Sequence, residues 1–340
     1  ILKIEPSDYN LHSAKVYANG IVGENTIVIK GEGKDDGVGL LIDNVSVKSY
    51  APEKIINGGF ENDTKGWTGS GKIEIGDGSY YNDNFKPESK KAAELDAWEN
   101  ISLSQVFEAN DDDTYYIAFD GAARKGVDLS SNQCIVSFND KQVDEIKPKD
   151  YSLRHFIYYV DVKEGKNELK ITGSGTNDTV GFVIDNVSSR KKHEANGPNL
   201  IENGTFDDKG KGWVSNDLEV EDGKIYNNEM DTGSAVELDS HSNVDVSTTF
   251  KVEIEGYYEL QFDGAARENF ALESNKASVS IDQERIIKIE PNDYKKHKFV
   301  YPLYLDKGDH TLTFTGEGTD DTVGYIVDNV SVKLLFSINK

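Results

Sequence analysis

Apolar and polar residues alternate in short runs along this chain, and the runs at 101–107, 115–119, 134–138, 155–162 and 167–172 are rich in Val, Ile, Tyr, Phe and Thr. Turn clusters at 164–167, 221–223 and 307–309 separate such runs. A period of two at this spacing predicts half-buried β-strands joined by tight turns. No segment sustains the three-to-four-residue stripe of an amphipathic helix, so helix should be minor. The pattern predicts an all-β architecture of tandem jelly-roll sandwiches, with both sheets buried on one face.

The alternation is itself repeated. The phrase Phe-Asp-Gly-Ala-Ala-Arg occurs at 119–124 and again at 262–267, 143 residues later. The same spacing relates the Glu-Leu-Asp phrases at 94–96 and 237–239. A closing phrase built around Asp-Asn-Val-Ser occurs three times, at 31–47, 173–189 and 316–332. An opening phrase, Asn-Gly-x-Phe-Glu/Asp followed by Gly-Trp, occurs twice, at 57–67 and 203–213. Residues 1–48 align without a gap onto 286–333, with 23 identities in the 48 positions. The expected layout is therefore the last third of a module at 1–48, complete modules at 49–190 and 191–333, and a tail at 334–340. The two connectors each carry one Pro and no Gly/Ser run, which predicts modules held end to end.

Composition narrows the functional classes. The 340 residues carry 37 Lys and Arg against 61 Asp and Glu, a net charge of −24. Nucleic-acid binding needs clustered basic residues and is not expected. A basic membrane-binding face is not expected either, nor is membrane insertion, because no apolar run approaches 18 residues. The single Cys134 excludes an intramolecular disulfide and a CxxC zinc site, and its strand-like run makes it a small core residue. The six His show no His-x-x-x-His pair, and no Gly-x-Ser-x-Gly elbow or phosphate loop occurs. The expectation is a protein without catalytic residues. The opening at Ile1 without Met predicts a processed or excised piece of something longer.

The opening and closing phrases together resemble the galactose-binding-like jelly-roll modules, a group that includes many carbohydrate-binding modules. The inner phrases at 94–96 and 119–124 are similar to the tandem repeats of large bacterial surface adhesins. The resemblance implies a structural Ca²⁺ joining the opening loop to the Asp of the closing strand. Carried over, its ligands are Asn57, Glu61 and Asp185 in one module and Asn203, Asp207 and Asp328 in the other. Asp43 has the same closing context without an opening loop in this chain. Ca²⁺ takes six to eight hard oxygens, which a loop carbonyl and carboxylates can supply. An Asp inside the apolar run 182–187 is otherwise costly to bury. The alternative is that Asp185 and Asp328 cap neighbouring N–H groups without metal.

Candidate ligand contacts are Arg124 and Arg267, Trp98, and the nearby Tyr80 and Tyr81. For the arginines the competing expectation is an internal ion pair with Asp120 and Asp263. Trp67 and Trp213 are expected as core plugs beneath the opening loops. Acidic loops at 35–36, 110–113 and 320–321 lack an EF-hand register and are expected to be solvated turns.

Together these features predict a non-catalytic extracellular or cell-surface protein whose Ca²⁺-stabilised modules mediate adhesion or bind carbohydrate such as a cell-surface glycan. Two alternatives are open. One is a structural subunit of a filament or sheath, assembled through the incomplete module with other copies or upstream modules. The other is a binding appendage of a polysaccharide-degrading enzyme.

Overall fold

In the computed structural model the residues described are 53–337, apart from 86–90, 193–194, 196 and 232, together with 4–5, 8–9, 26–36, 38–43 and 45. The chain divides into a unit at 1–50 and a unit at 51–340. In the first unit the described residues adopt no strand, and Ile27, Val28, Ile29, Leu40 and Leu41 are exposed. Most of the incomplete repeat lies outside the described residues.

The second unit contains two sandwiches of the same design. In the first module β1 (Thr68–Gly69), β4 (Ser102–Ala109), β9 (Gly165–Gly173), β6 (Cys134–Phe138) and β7 (Lys141–Ile146) form one antiparallel sheet in that order. The facing sheet runs β2 (Glu74–Asp77), β3 (Lys91–Glu94), β10 (Val183–Lys191), β5 (Asp113–Ala122) and β8 (Arg154–Val162). A single helical turn, α1 (Gly78–Tyr81), follows β2 and is capped by the Asp77 carboxylate, which accepts the Ser79 N–H.

The second module repeats this order. Its larger sheet is β11 (Glu219–Asp222), β12 (Ser234–Glu237), β19 (Tyr325–Ser337), β14 (Gly256–Ala266) and β17 (His297–Leu305). The other sheet is β13 (Asp245–Val252), β18 (Gly308–Gly316), β15 (Ala277–Ile281) and β16 (Glu284–Ile289). A Val214–Ser247 bridge stands where the first module has β1, and α2 (Gly223–Tyr226) repeats α1. These are tandem jelly-roll β-sandwiches with little helix.

Alternation explains each core. On β4 the buried positions are Leu103, Gln105, Phe107 and Ala109, and on β9 they are Asn167, Leu169, Ile171 and Gly173. Tyr115, Ile117 and Phe119 of β5 face them from the other sheet. Trp67 and Trp213 are buried in the cores, each beside the Phe of its opening loop, as expected.

Two expectations are corrected. β5 and β14 are buried on both faces, because the outer faces of the two sheets that contain them pack against each other. Tyr116, Ala118 and Ile157 meet Tyr257, with Tyr159, Tyr304 and Phe336 around them. The Glu259 carboxylate, 1% exposed, accepts the Tyr159 hydroxyl at 2.6 Å and pairs with Lys192 at 2.7 Å. Arg154 reaches Glu284 at 3.1 Å. The modules are therefore joined by sheet faces and not by their ends. The second correction is at the C-terminus, where β19 runs through Ser337 and residues expected as tail contribute Phe336 to this contact.

Candidate functional site

Each opening loop is locked onto its closing strand by backbone. Gly58 accepts the Val187 N–H at 3.0 Å, and Gly204 accepts that of Val330 at 2.8 Å. A Cβ on Gly58 would sit 1.7 Å from the Val187 carbonyl oxygen, and one on Gly204 1.9 Å from that of Val330, so only glycine permits the approach. Asn57 and Phe60 hold left-handed backbone at φ 56°, as do Asn203 at 51° and Phe206 at 54°. A buried Phe in that region is strained and persists only where its surroundings fix it.

The loop asparagines are consumed by this work. Asn57 Nδ2 donates to the carbonyls of Asp63 and Lys65, and its Oδ1 accepts the Asn62 N–H. Asn203 does the same with Lys209, Lys211 and Asp208. The side chains of Asn57 and Asn203 therefore act as loop staples, a role their sequence spacing did not reveal.

The closing-strand carboxylates sit in a different setting. Asp185 pairs in register with Asp120, and Asp328 with Asp263, on adjacent antiparallel strands next to a β-bulge. The bulge places Asn186 and Asn329 at φ 51° and 55°, and their amides donate to Asp120 and Asp263 at 2.7 and 3.0 Å. Asp185 and Asp328 are both buried, and each accepts the N–H of the following Asn. Burial pushes the Asp328 carboxyl up to about 7, and the charges of Asp263, Asp207 and Asp231 push the same way. Lys296 answers part of this charge, at 2.8 Å from Asp231 and 3.8 Å from Asp263. The Asp207 carboxylate is thus close enough for its charge to act on Asp328. In the first module Glu61 accepts the Lys91 N–H at 3.1 Å. Asp43 is exposed and belongs to no strand.

This donor set fits a hard cation only in part. Two opposed carboxylates and a loop carboxylate suit Ca²⁺, but the asparagine side chains are committed elsewhere. Among the described residues no three Asp, Glu, His or Cys side chains converge to hold a metal by themselves. Backbone carbonyls would have to complete the shell.

The arginines are placed differently from the sequence expectation. Arg124 Nη1 lies 2.9 and 2.7 Å from the two oxygens of Glu94, and Arg267 Nη1 lies at the same distances from Glu237. Both glutamates are fully buried and also accept a backbone N–H, from Gly181 and Gly324. Asp120 instead faces His155 and Asn186, because strand alternation turns it to the outer face of the sheet. The internal pair is Arg–Glu, not Arg–Asp. Its signal was present in the Glu-Leu-Asp phrase, which recurs at the same spacing as the Arg.

Tyr80, Tyr81 and Arg124 come together. The guanidinium lies 5.5 Å from both ring centres. Tyr81 is buried and bonds Glu74, whereas Tyr80 is 72% exposed. Trp98 is 70% exposed, with Lys72 Nζ 5.3 Å from its ring centre. The equivalent positions in the second module are Ile225 and His241. Arg267 there lies over Tyr226 and Phe270. Cys134 is buried and its thiol is pushed up by burial, as suits a core residue.

No family model matches this chain. A stretch of 156 residues, 45% of the chain, is 29% identical to part of a multifunctional-autoprocessing repeats-in-toxin protein of Vibrio vulnificus. A stretch of 162 residues, 46% of the chain, is 30% identical to the protein of that name from Vibrio cholerae. The matches span only 3% and 4% of those two relatives.

Among solved structures it is similar to a tandem CBM22 domain pair from Paenibacillus barcinonensis. The identity is 13% and the TM-score 0.30, over 85% of this chain and 100% of that one. A family 35 carbohydrate-binding module from Clostridium thermocellum gives 13% and 0.29, over 36% and 92%. A plant receptor-like kinase structure gives 7% and 0.33, over 80% and 90%. Among the described residues no helix is long and apolar enough to cross a membrane.

Proposed function

We propose that this chain is a non-catalytic segment of an extracellular or cell-surface protein, whose jelly-roll modules bind carbohydrate and are stiffened by Ca²⁺. The supporting observation is the pair of exposed aromatic rings, Tyr80 and Trp98, on a module otherwise tied down by internal bonds. An exposed ring offers a flat face for the C–H side of a sugar, at little conformational cost. Arg124, held in place by Glu94, adds a fixed donor beside Tyr80. The second module, with Ile225 and His241 at the ring positions, is assigned a supporting role. Ca²⁺ would be held by Asp185 with Asp120 and Glu61, and by Asp328 with Asp263 and Asp207. The likeness to short stretches of two proteins named as toxins supports a place outside the producing cell.

The test is a polysaccharide panel probed with the wild-type chain and with Tyr80→Ala and Trp98→Ala, with and without Ca²⁺. Binding by the wild type and loss in either variant, at unchanged melting temperature, supports the reading. A panel that stays blank with and without Ca²⁺ overturns it.

A further inference from the structure

A second set of buried oxygens recurs in both modules, away from the closing-strand carboxylates. Asp96 and Asp239 end the Glu-Leu-Asp phrases and are fully buried. One oxygen of each, Oδ2, accepts a backbone N–H from the loop before the last strand, Asp178 at 3.2 Å and Asp321 at 3.3 Å. The other, Oδ1, has no donor within hydrogen-bond distance among the described residues in either module, although the N–H groups of Thr179 and Thr322 also act on these carboxylates.

Each of these residues pairs across an antiparallel bridge with an Asn, Asn100 or Asn243. The amide oxygen of that Asn is also buried and also meets no donor. Its orientation is set by the network. Nδ2 donates to the carbonyl of Gly175 at 2.8 Å, and in the second module to that of Gly318 at 2.9 Å. A flipped amide would set oxygen against oxygen there.

Each module therefore buries a carboxylate oxygen and an amide oxygen, on paired residues, with no donor within hydrogen-bond distance among the described residues. A buried acceptor left unmet costs about 1–3 kcal/mol, and more when charged. Two modules whose sequences differ at many positions keep both. Further negative charge surrounds them, from Asp178 and Glu99 in the first module and from Asp320 and Asp321 in the second. Asp178 and Asp321 are steadied by the hydroxyls of Ser131 and Ser274, at 2.7 and 2.8 Å. Hard oxygens from a carboxylate, an amide and a neighbouring carboxylate are the ligand types that Ca²⁺ takes, with loop carbonyls and water completing its shell.

We propose that each complete module binds a second divalent cation of the Ca²⁺ class, held by Asp96 and Asn100 in the first and by Asp239 and Asn243 in the second. The cation answers the unmet oxygens and ties the turn after β3 or β12 to the loop preceding the last strand. It is separate from the Ca²⁺ proposed at Asp185 and Asp328 and does not depend on it.

Equilibrium dialysis of the whole chain against Ca²⁺, after stripping with chelator, tests this. Asp96→Asn and Asp239→Asn should each remove one bound Ca²⁺ per chain, while Asp328→Asn leaves both of these sites filled. Should Asp239→Asn fail to fold, Asp320→Asn provides the second reading. Asn177 occupies the matching position and accepts the Asn100 N–H just as Asp320 accepts that of Asn243, so this variant keeps the hydrogen bond and removes one charge. It should weaken one site by about tenfold or more. Unchanged stoichiometry and affinity in Asp96→Asn and Asp320→Asn would mean that buried water meets these oxygens, and would overturn the proposal. Loss of Ca²⁺ only in Asp328→Asn would overturn it while sparing the opening-loop sites.

Discussion

Asp328 stands directly opposite Asp263 on adjacent strands, and Asp185 opposes Asp120 in the same way 143 residues earlier. Like charges at directly opposed positions destabilise a sheet unless something neutralises them. In the metal-free chain a proton can do so. Asp328 ionises near 3.8 when unfolded but near 7 when folded, and burial likewise lifts Glu237 to about 7. The folded state holds the extra protons across that window, so metal-free stability should fall as pH rises from about 4 to 7. Melting in excess chelator between pH 4 and 8 checks this. Asp328→Asn should flatten the dependence, and at pH 7.5 added Ca²⁺ should raise the melting temperature by mass action. An unchanged curve on adding Ca²⁺ would sink the metal reading.

The Arg124–Glu94 pair makes a different demand. Removing Arg124 leaves a carboxylate of 0% exposure without its cation. Arg124→Ala should cost about 3–5 kcal/mol in urea unfolding. Arg124→Lys should restore only part of this, because an ammonium lacks the planar face that the guanidinium lays beside the two rings. Recovery to wild-type stability in the Lys variant would show that charge alone suffices.

Gly58→Ala and Gly204→Ala place a methyl against a carbonyl oxygen that cannot retreat without breaking the closing strand. Each should destabilise by about 1–3 kcal/mol. The melting temperature reads this.

Tyr159 and Glu259 carry the polar centre of the contact between modules. A double-mutant cycle with Tyr159→Phe and Glu259→Gln should give a coupling of about 0.5–3 kcal/mol. Additive effects would mean that this hydrogen bond does not couple the two modules, leaving their coupling to the apolar contact around it.

Much of this was legible in the chain. The repeat located both sandwiches, period-two runs located most strands, and the Asn-Gly and Asp-Asn phrases located the docking of opening loop on closing strand. The Arg–Glu pair was less legible, since Asp120 lies nearer in sequence to Arg124 than Glu94 does. Only the pleat, which turns Asp120 to the outer face, decides between them.

The sequence by itself determined the fold class and the repeat unit, because alternation and turn chemistry are local and recur with the repeat. The tertiary structure alone decided what those groups meet. It assigned Asn57 and Asn203 to the loop, Glu94 and Glu237 to the arginines, and Tyr116, Glu259 and Phe336 to a contact between sheet faces. Partners across strands and between modules depend on register and on which face each residue presents, and residues far apart in the chain set both.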